Sequence, residues 1–225
     1  LNLFNQLLPN VLPIWSEIMQ ALWETIYMSI WTCIIAGVLG TVIGVCMLVT
    51  RPGGLLERPM LYRVLDQFVN MTRAIPFIIL LALLVTITRL IVGTAIGATA
   101  ALVPLVAGTT PFFARQIENA LLEVDPGVIE AAQSMGLSPA EIVCRVYLRE
   151  GLPGIIRAFA LTIINVIGLT AMAGAVGAGG LGNLAILRGY NRYQTDVTIV
   201  TTAMILLIVF VTQEVSNRIL KRIEH

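Results

Sequence analysis

Gly177, Gly179 and Gly182, inside the run GAVGAGGLG, satisfy the phosphate-binding spacing G-x-G-x-x-G. That spacing cradles a pyrophosphate only where it follows a strand and opens a helix in a βαβ unit. Here it follows an apolar helical segment, so dinucleotide binding is rejected and the run is read as a tight turn. No G-x-x-x-x-G-K-[ST] occurs, so a nucleotide, if one drives this protein, binds to another chain. Cys33, Cys46 and Cys144 fit neither a disulfide framework nor a metal site. His225 is the single histidine and is terminal. A His/Glu metal set, a paired-Asp motif and a Ser–His pair are all missing from the apolar segments, which argues against an intramembrane enzyme. The expectation is a chain with no catalytic, cofactor or metal residues.

Composition explains where such a chain works. Apolar residues make up 57% and charged residues 12% of 225 residues, with mean hydropathy +0.89. Soluble domains carry about half apolar and about a quarter charged residues, so this is an integral membrane protein. The formal net charge of +1 offers nothing to nucleic acid. No basic start followed by a short apolar core marks a cleavable signal peptide.

A crossing helix needs about 20 apolar residues. Five windows meet or approach this: Leu22–Val49, Asp66–Thr88, Ala95–Ala114, Ala158–Val176 and Val197–Val211, the last extending to Gln213 or beyond. The expected fold is all-α, one transmembrane domain over residues 1–225. The first twenty residues, with Pro9, Pro13 and Trp15, read as an interfacial lead-in. Arg73 must snorkel or find a partner. Pro76, Pro104 and Pro111 are expected to kink the second and third spans, either lining a pathway or packing. Gly40 and Gly44 form a GxxxG pair suited to close helix approach.

Basic residues set the orientation. If the spans alternate, Arg51, Arg58, Arg63, Arg115, Arg145, Arg149, Arg157, Arg218, Lys221 and Arg222 share one side. Arg89, Arg188 and Arg192 take the other. The N-terminus is therefore expected outside and the C-terminus in the cytoplasm.

One polar stretch, Glu130–Pro153, interrupts the apolar chain. It reads as two short helices joined at a glycine. Asp125 caps the first, with Pro126 in its first turn, and Gly136 ends it. Ser138, Pro139 and Glu141 start the second as a capping box. Glu130 is expected as a first-turn anion on the helix dipole, or as the ligand of a basic or polar partner.

This stretch resembles the EAA loop of ABC-importer permeases, on Glu130, Ala131, Ala132, Gly136, Val146 and Leu148. It departs at Arg149, where that family has proline; Pro153 is the expected substitute. TRAIPFIILL, TRLIVGTAIG, PFFARQIENALLEVDPG and AMAGAVGAGGLG narrow the resemblance to methionine-importer permeases. The resemblance implies that the EAA loop, about 124–153, is a cytoplasmic coupling helix seated on an ATPase. It implies a homodimer in the bacterial cytoplasmic membrane, two ATPase subunits that bind ATP and Mg, and an extracytoplasmic methionine-binding protein. It also implies a gate in the fourth span at Leu169 and Met172, with plain packing as the other reading of Met172. Another amino acid or small solute as cargo remains open. A secondary transporter is disfavoured, because ionisable residues are nearly missing from the spans and Arg73 cannot relay protons.

Overall fold

The computed structural model describes residues 8–223, and these are all-helical, without strands. A 3-10 turn, Leu12–Ile14, leads into α1, Trp15–Thr50. Then follow α2 (Pro59–Ala74), α3 (Phe77–Leu83), α4 (Val85–Val92) and α5 (Ala98–Leu122). The polar stretch forms α6 (Pro126–Ser134), α7 (Pro139–Glu141), a wide π turn (Ile142–Tyr147) and α8 (Leu148–Glu150). Next come α9 (Leu152–Ala173), the π turn Gly174–Ala178, and α10 (Gly180–Leu184). The π turn Ala185–Tyr190 and α11 (Thr195–Ile223) close the described chain.

Three helical segments are long and apolar enough to cross a membrane: Leu12–Thr50, Leu152–Ala178 and Thr195–Ile223. A fourth follows if Pro59–Ala74 and Phe77–Leu83 make one broken span. The shortfall from five lies in α5, whose apolar run is diluted by Pro104, Thr109, Thr110, Pro111 and Arg115.

Several expected boundaries are corrected. The window Asp66–Thr88 is not one helix. Proline disfavours the α conformation in the residue before it, and here Ile75 is extended (φ −75°, ψ 122°), so the helix stops and restarts at Phe77. Pro76 breaks rather than kinks. Pro104 and Pro111 lie inside the continuous α5, which starts at Ala98 and runs past Ala114 to Leu122. α9 starts before Ala158, while α11 runs beyond Gln213 to Ile223, as the sequence allowed. Trp15 belongs to α1, and Val11, Ile14 and Ile18 are buried, so this part of the lead-in is core. Residues 1–7 and His225 lie outside the described residues.

The chain divides into two compact units. One takes the chain up to Ile34, Pro76–Ala107 and Ile163–Gln213. Its core gathers Val11, Ile14, Ile18, Ala21, Leu181 and Val197. Asn10 ties it to the start of α11, its N–H and side-chain amide donating to the two Asp196 oxygens at 2.8 and 3.0 Å.

The other unit takes Ile35–Ile75, Gly108–Thr162 and the chain from Glu214. Leu48, Phe113, Ile117, Leu121, Ile129, Ala132 and Ile142 make its core. The Phe113 and Phe159 rings meet edge to face at 5.8 Å. Gly40 and Gly44 do pack closely: a Cβ on Gly44 would lie 2.5 Å from the Ala114 carbonyl oxygen. Only small residues allow such backbone approach.

Candidate functional site

The polar stretch folds as two capped helices around a glycine elbow, in the second unit. Asp125 Oδ1 accepts the Gly127 N–H at 2.8 Å, and Pro126 fills a first-turn position where no donor is needed. At the other end of α6, Gly136 adopts φ +80°. Its N–H donates to the Gln133 carbonyl at 2.9 Å, and the Leu137 N–H donates to the Ala132 carbonyl at 3.2 Å. This pair of bonds is the Schellman arrangement, which satisfies the last carbonyls of the helix.

Ser138 then opens α7. Its Oγ accepts the Glu141 N–H at 3.4 Å, and its own N–H donates to Glu141 Oε2 at 3.1 Å. Those bonds, the Ser138 hydroxyl at 2.8 Å and the Arg145 guanidinium at 3.4 Å hold the Glu141 carboxyl below the ordinary carboxylate range.

The six residues of the EAA pattern divide by what they touch. Ala132 is buried in the unit's core, and Val146 and Leu148 pack against it half-buried. Glu130 and Ala131 are exposed. Gly136 makes the bend. The segment thus has an anchored face and an open face. Glu130 is corrected in one respect: α6 begins at Pro126, so Glu130 sits beyond the first turn, and the capping carboxylate is Asp125. The break after Leu148 falls at Gly151, not Pro153. A Cβ on Gly151 would lie 2.7 Å from Leu121 Cδ2, and Pro153 sits inside the first turn of α9.

The same unit holds an ion cluster that sequence reasoning missed. Arg115 on α5 donates to Asp66 and to Asn70 Oδ1 (3.2 Å) on α2, and to Glu118 Oε2 (2.6 Å). Glu118 is 1% exposed. The Arg73 guanidinium lies 5.8 Å from the Phe112 ring centroid, the partner expected for it. The signal for the cluster was Arg115 and Glu118 three residues apart, adjacent on a helix face. It was overlooked because the third span was ended at Ala114.

The first unit contains the glycine run and the two gate candidates. Val176 and Gly177 leave helical geometry, and Gly177, Gly179 and Gly180 have positive φ. α10 folds back so closely on α9 that a Cβ on Gly182 would stand 2.4 Å from Ala171 Cα. Glu24 Oε2 accepts the Gly180 N–H (2.7 Å) and Thr25 Oγ1 accepts the Leu181 N–H (2.9 Å). A carboxylate and a hydroxyl thus each occupy one of the amides that a pyrophosphate would need, and no strand precedes them. Glu24, inside the first expected span, was legible as a polar residue in an apolar run but was not read. On α9, Leu169 is half-buried and Met172 is 42% exposed.

The family model described as "Binding-protein-dependent transport system inner membrane component" matches residues 40–225. The chain belongs to that family. Members are membrane components of transport systems, so the chain is a multi-pass membrane subunit and not an enzyme. Among similar curated proteins is the "Probable D-methionine transport system permease protein MetI" of Vibrio cholerae, 42% identical over 208 residues, 92% of each chain. Its namesake from Pasteurella multocida is 44% identical over 212 residues, 94% of this chain and 98% of the relative. The D-methionine transport system permease protein MetI of Escherichia coli K12 is 46% identical over 151 residues, 67% of this chain and 70% of the relative. A solved structure of inward-facing MetNI methionine ABC transporter superposes with TM-score 0.92 at 42% identity, covering 94% of this chain and 98% of that one. An amino acid ABC transporter at 18% identity shares the fold, with TM-score 0.78.

Proposed function

We propose that this chain is the permease subunit of an ATP-driven methionine importer. The observation that carries the reading is the likeness to MetNI along nearly the whole chain, at 42% identity and TM-score 0.92. The geometry of the polar stretch supports it: a capped elbow anchored on one face and open on the other suits a rigid lever.

Two copies of the chain line the pathway, and two ATPase subunits carry ATP and Mg. An extracytoplasmic binding protein delivers methionine. Five crossings are formed by α1, the α2–α4 run, α5, α9 and α11. The N-terminus is outside, and the polar stretch and C-terminus face the cytoplasm. The distribution of basic residues supports that orientation.

In this mechanism the ATPase subunits close on nucleotide and move α6, with Glu130 and Ala131 on its open face. Ala132, Val146 and Leu148 carry the motion into the unit's core, and Gly136 keeps the two short helices at one angle. Leu169 and Met172 close the pathway until the spans shift. A partner biases the two states only through contacts that differ between them, so slack at the elbow weakens coupling directly.

Uptake of labelled methionine into proteoliposomes holding this chain and its cognate ATPase tests the reading. Uptake requiring both ATP and the binding protein is the expected result. ATP-dependent activity without methionine uptake would retain the permease and remove the substrate. Uptake by this chain alone on an ion gradient would overturn the mechanism.

A further inference from the structure

Beside the open face of α6 lies a pocket of about 190 Å³, within the second unit. Arg51, Glu130, Gln133 and Tyr147 supply its polar lining. Among the described residues, no hydrogen bond or ion pair involves the side chain of Arg51, Glu130 or Gln133. Arg51 Nε is buried without an acceptor. Buried donors in folded proteins almost always have partners, and one without a partner calls for an explanation.

Arg51 is also held firmly. It follows the last turn of α1, its N–H donating to the Met47 carbonyl at 3.1 Å. Its carbonyl accepts the Gly54 N–H at 2.9 Å, with Gly53 at φ +72°. The chain then folds back, Leu56 N–H reaching the Val49 carbonyl and Arg58 N–H the Thr50 carbonyl at 2.9 and 3.0 Å. The turn fixes where the Arg51 side chain leaves the backbone, and its guanidinium offers the planar fork that suits a two-oxygen acceptor.

We propose that this pocket receives an acidic side chain of the ATPase subunit, whose carboxylate pairs with Arg51. The inference rests on the permease reading above, and it adds a contact outside the EAA pattern, on the turn after α1. The unpaired Arg51 guanidinium, complementary to a carboxylate, and continuity with the exposed Glu130 of the polar stretch select this occupant. Glu130 and Gln133, also in the lining, leave an acceptor and an amide to orient the incoming side chain. The ATPase would then hold the coupling segment and the α1 turn together, so that its motion reaches two elements at once.

The test measures binding of the cognate ATPase to this full chain in detergent over a range of salt concentrations. Arg51→Gln is expected to weaken binding about tenfold and to flatten its salt dependence, as loss of a charge-assisted bond requires. Arg51→Lys should fall between, because lysine keeps the charge and loses the fork. In a second arm, Arg51→Glu is combined with single carboxylate-to-lysine exchanges on the ATPase. One exchange is expected to restore affinity, which a purely structural role for Arg51 would not allow. Wild-type affinity and salt dependence in Arg51→Gln, or failure of every exchange to rescue, overturns the pairing. If Arg51→Glu does not fold, the Arg51→Gln measurement decides alone. If the wild-type chain does not bind the ATPase at all, the permease reading fails first, and that result is separate from a defect confined to Arg51.

Discussion

Gly136 and Glu141 show how far single residues govern the polar stretch. Gly136 has open space where a Cβ would stand, so crowding does not explain it; its φ of +80° does. A β-branched residue there costs about 1–3 kcal/mol, whereas asparagine visits this region more readily. Gly136→Val is therefore expected to lower methionine uptake per ATP hydrolysed, or to prevent assembly with the ATPase, and Gly136→Asn to retain most of both. Unchanged coupling in the valine variant would remove the elbow from the mechanism. Glu141 adds a pH dependence with a definite sign. Its carboxyl is held below the ordinary carboxylate range by Ser138 and Arg145. A lowered folded-state value means that the contribution is fully present at neutral pH. It is lost only as pH falls through that lowered value, below the usual carboxylate range. Amide exchange protection at the start of α7, normalised for intrinsic rates, should fall in acid in the wild type and be flat in Glu141→Ala.

Packing between elements depends on two devices of different visibility. The glycine run brings α10 against α9 with Gly182 over Ala171. Gly182→Ala must push backbone aside, and overpacking of this kind costs about 1–3 kcal/mol; a lower melting temperature of the detergent-purified chain is the check. The Arg115 cluster holds α5 to α2. Arg115→Met leaves Glu118 buried without its cation, at a cost of about 3–5 kcal/mol, and Arg115→Met with Glu118→Leu should recover much of it. Denaturation of the single and double variants measures both. Sequence alone anticipated the turn and the α6–α7 caps, because Gly, Pro, Ser and Asp act on their own neighbours. It missed the cluster, the break at Ile75 and the true ends of α5. Those depend on which helix a polar side chain meets, and hydropathy windows do not carry that information.

For the molecule as a whole, apolar composition announced a membrane protein, and the family match agrees with it. The number of crossings was harder to read, since α5 trades apolar residues for Thr, Pro and Arg115. The proposed gate was not legible as chemistry at all: Leu169 and Met172 are ordinary apolar residues of α9, half-buried and 42% exposed, and a gating role for them would depend on a second copy of the chain. Sidedness is open to a direct test through cysteine. Cys144 is exposed in the π turn after α7, Cys33 is buried, and Cys46 is half-buried. Tyr193, between α10 and α11, is 92% exposed and has φ 58°. With the polar stretch in the cytoplasm, an impermeant maleimide added to intact cells or spheroplasts should leave Cys144 unlabelled until the membrane is permeabilised. In a Cys144→Ser background, Tyr193→Cys should react before permeabilisation, because one further crossing, α9, separates these positions. Labelling of Cys144 from outside would invert the orientation and put the coupling face out of an ATPase's reach. Labelling of both positions from the same side would instead deny that α9 crosses, leaving the basic-residue count without a topology to explain.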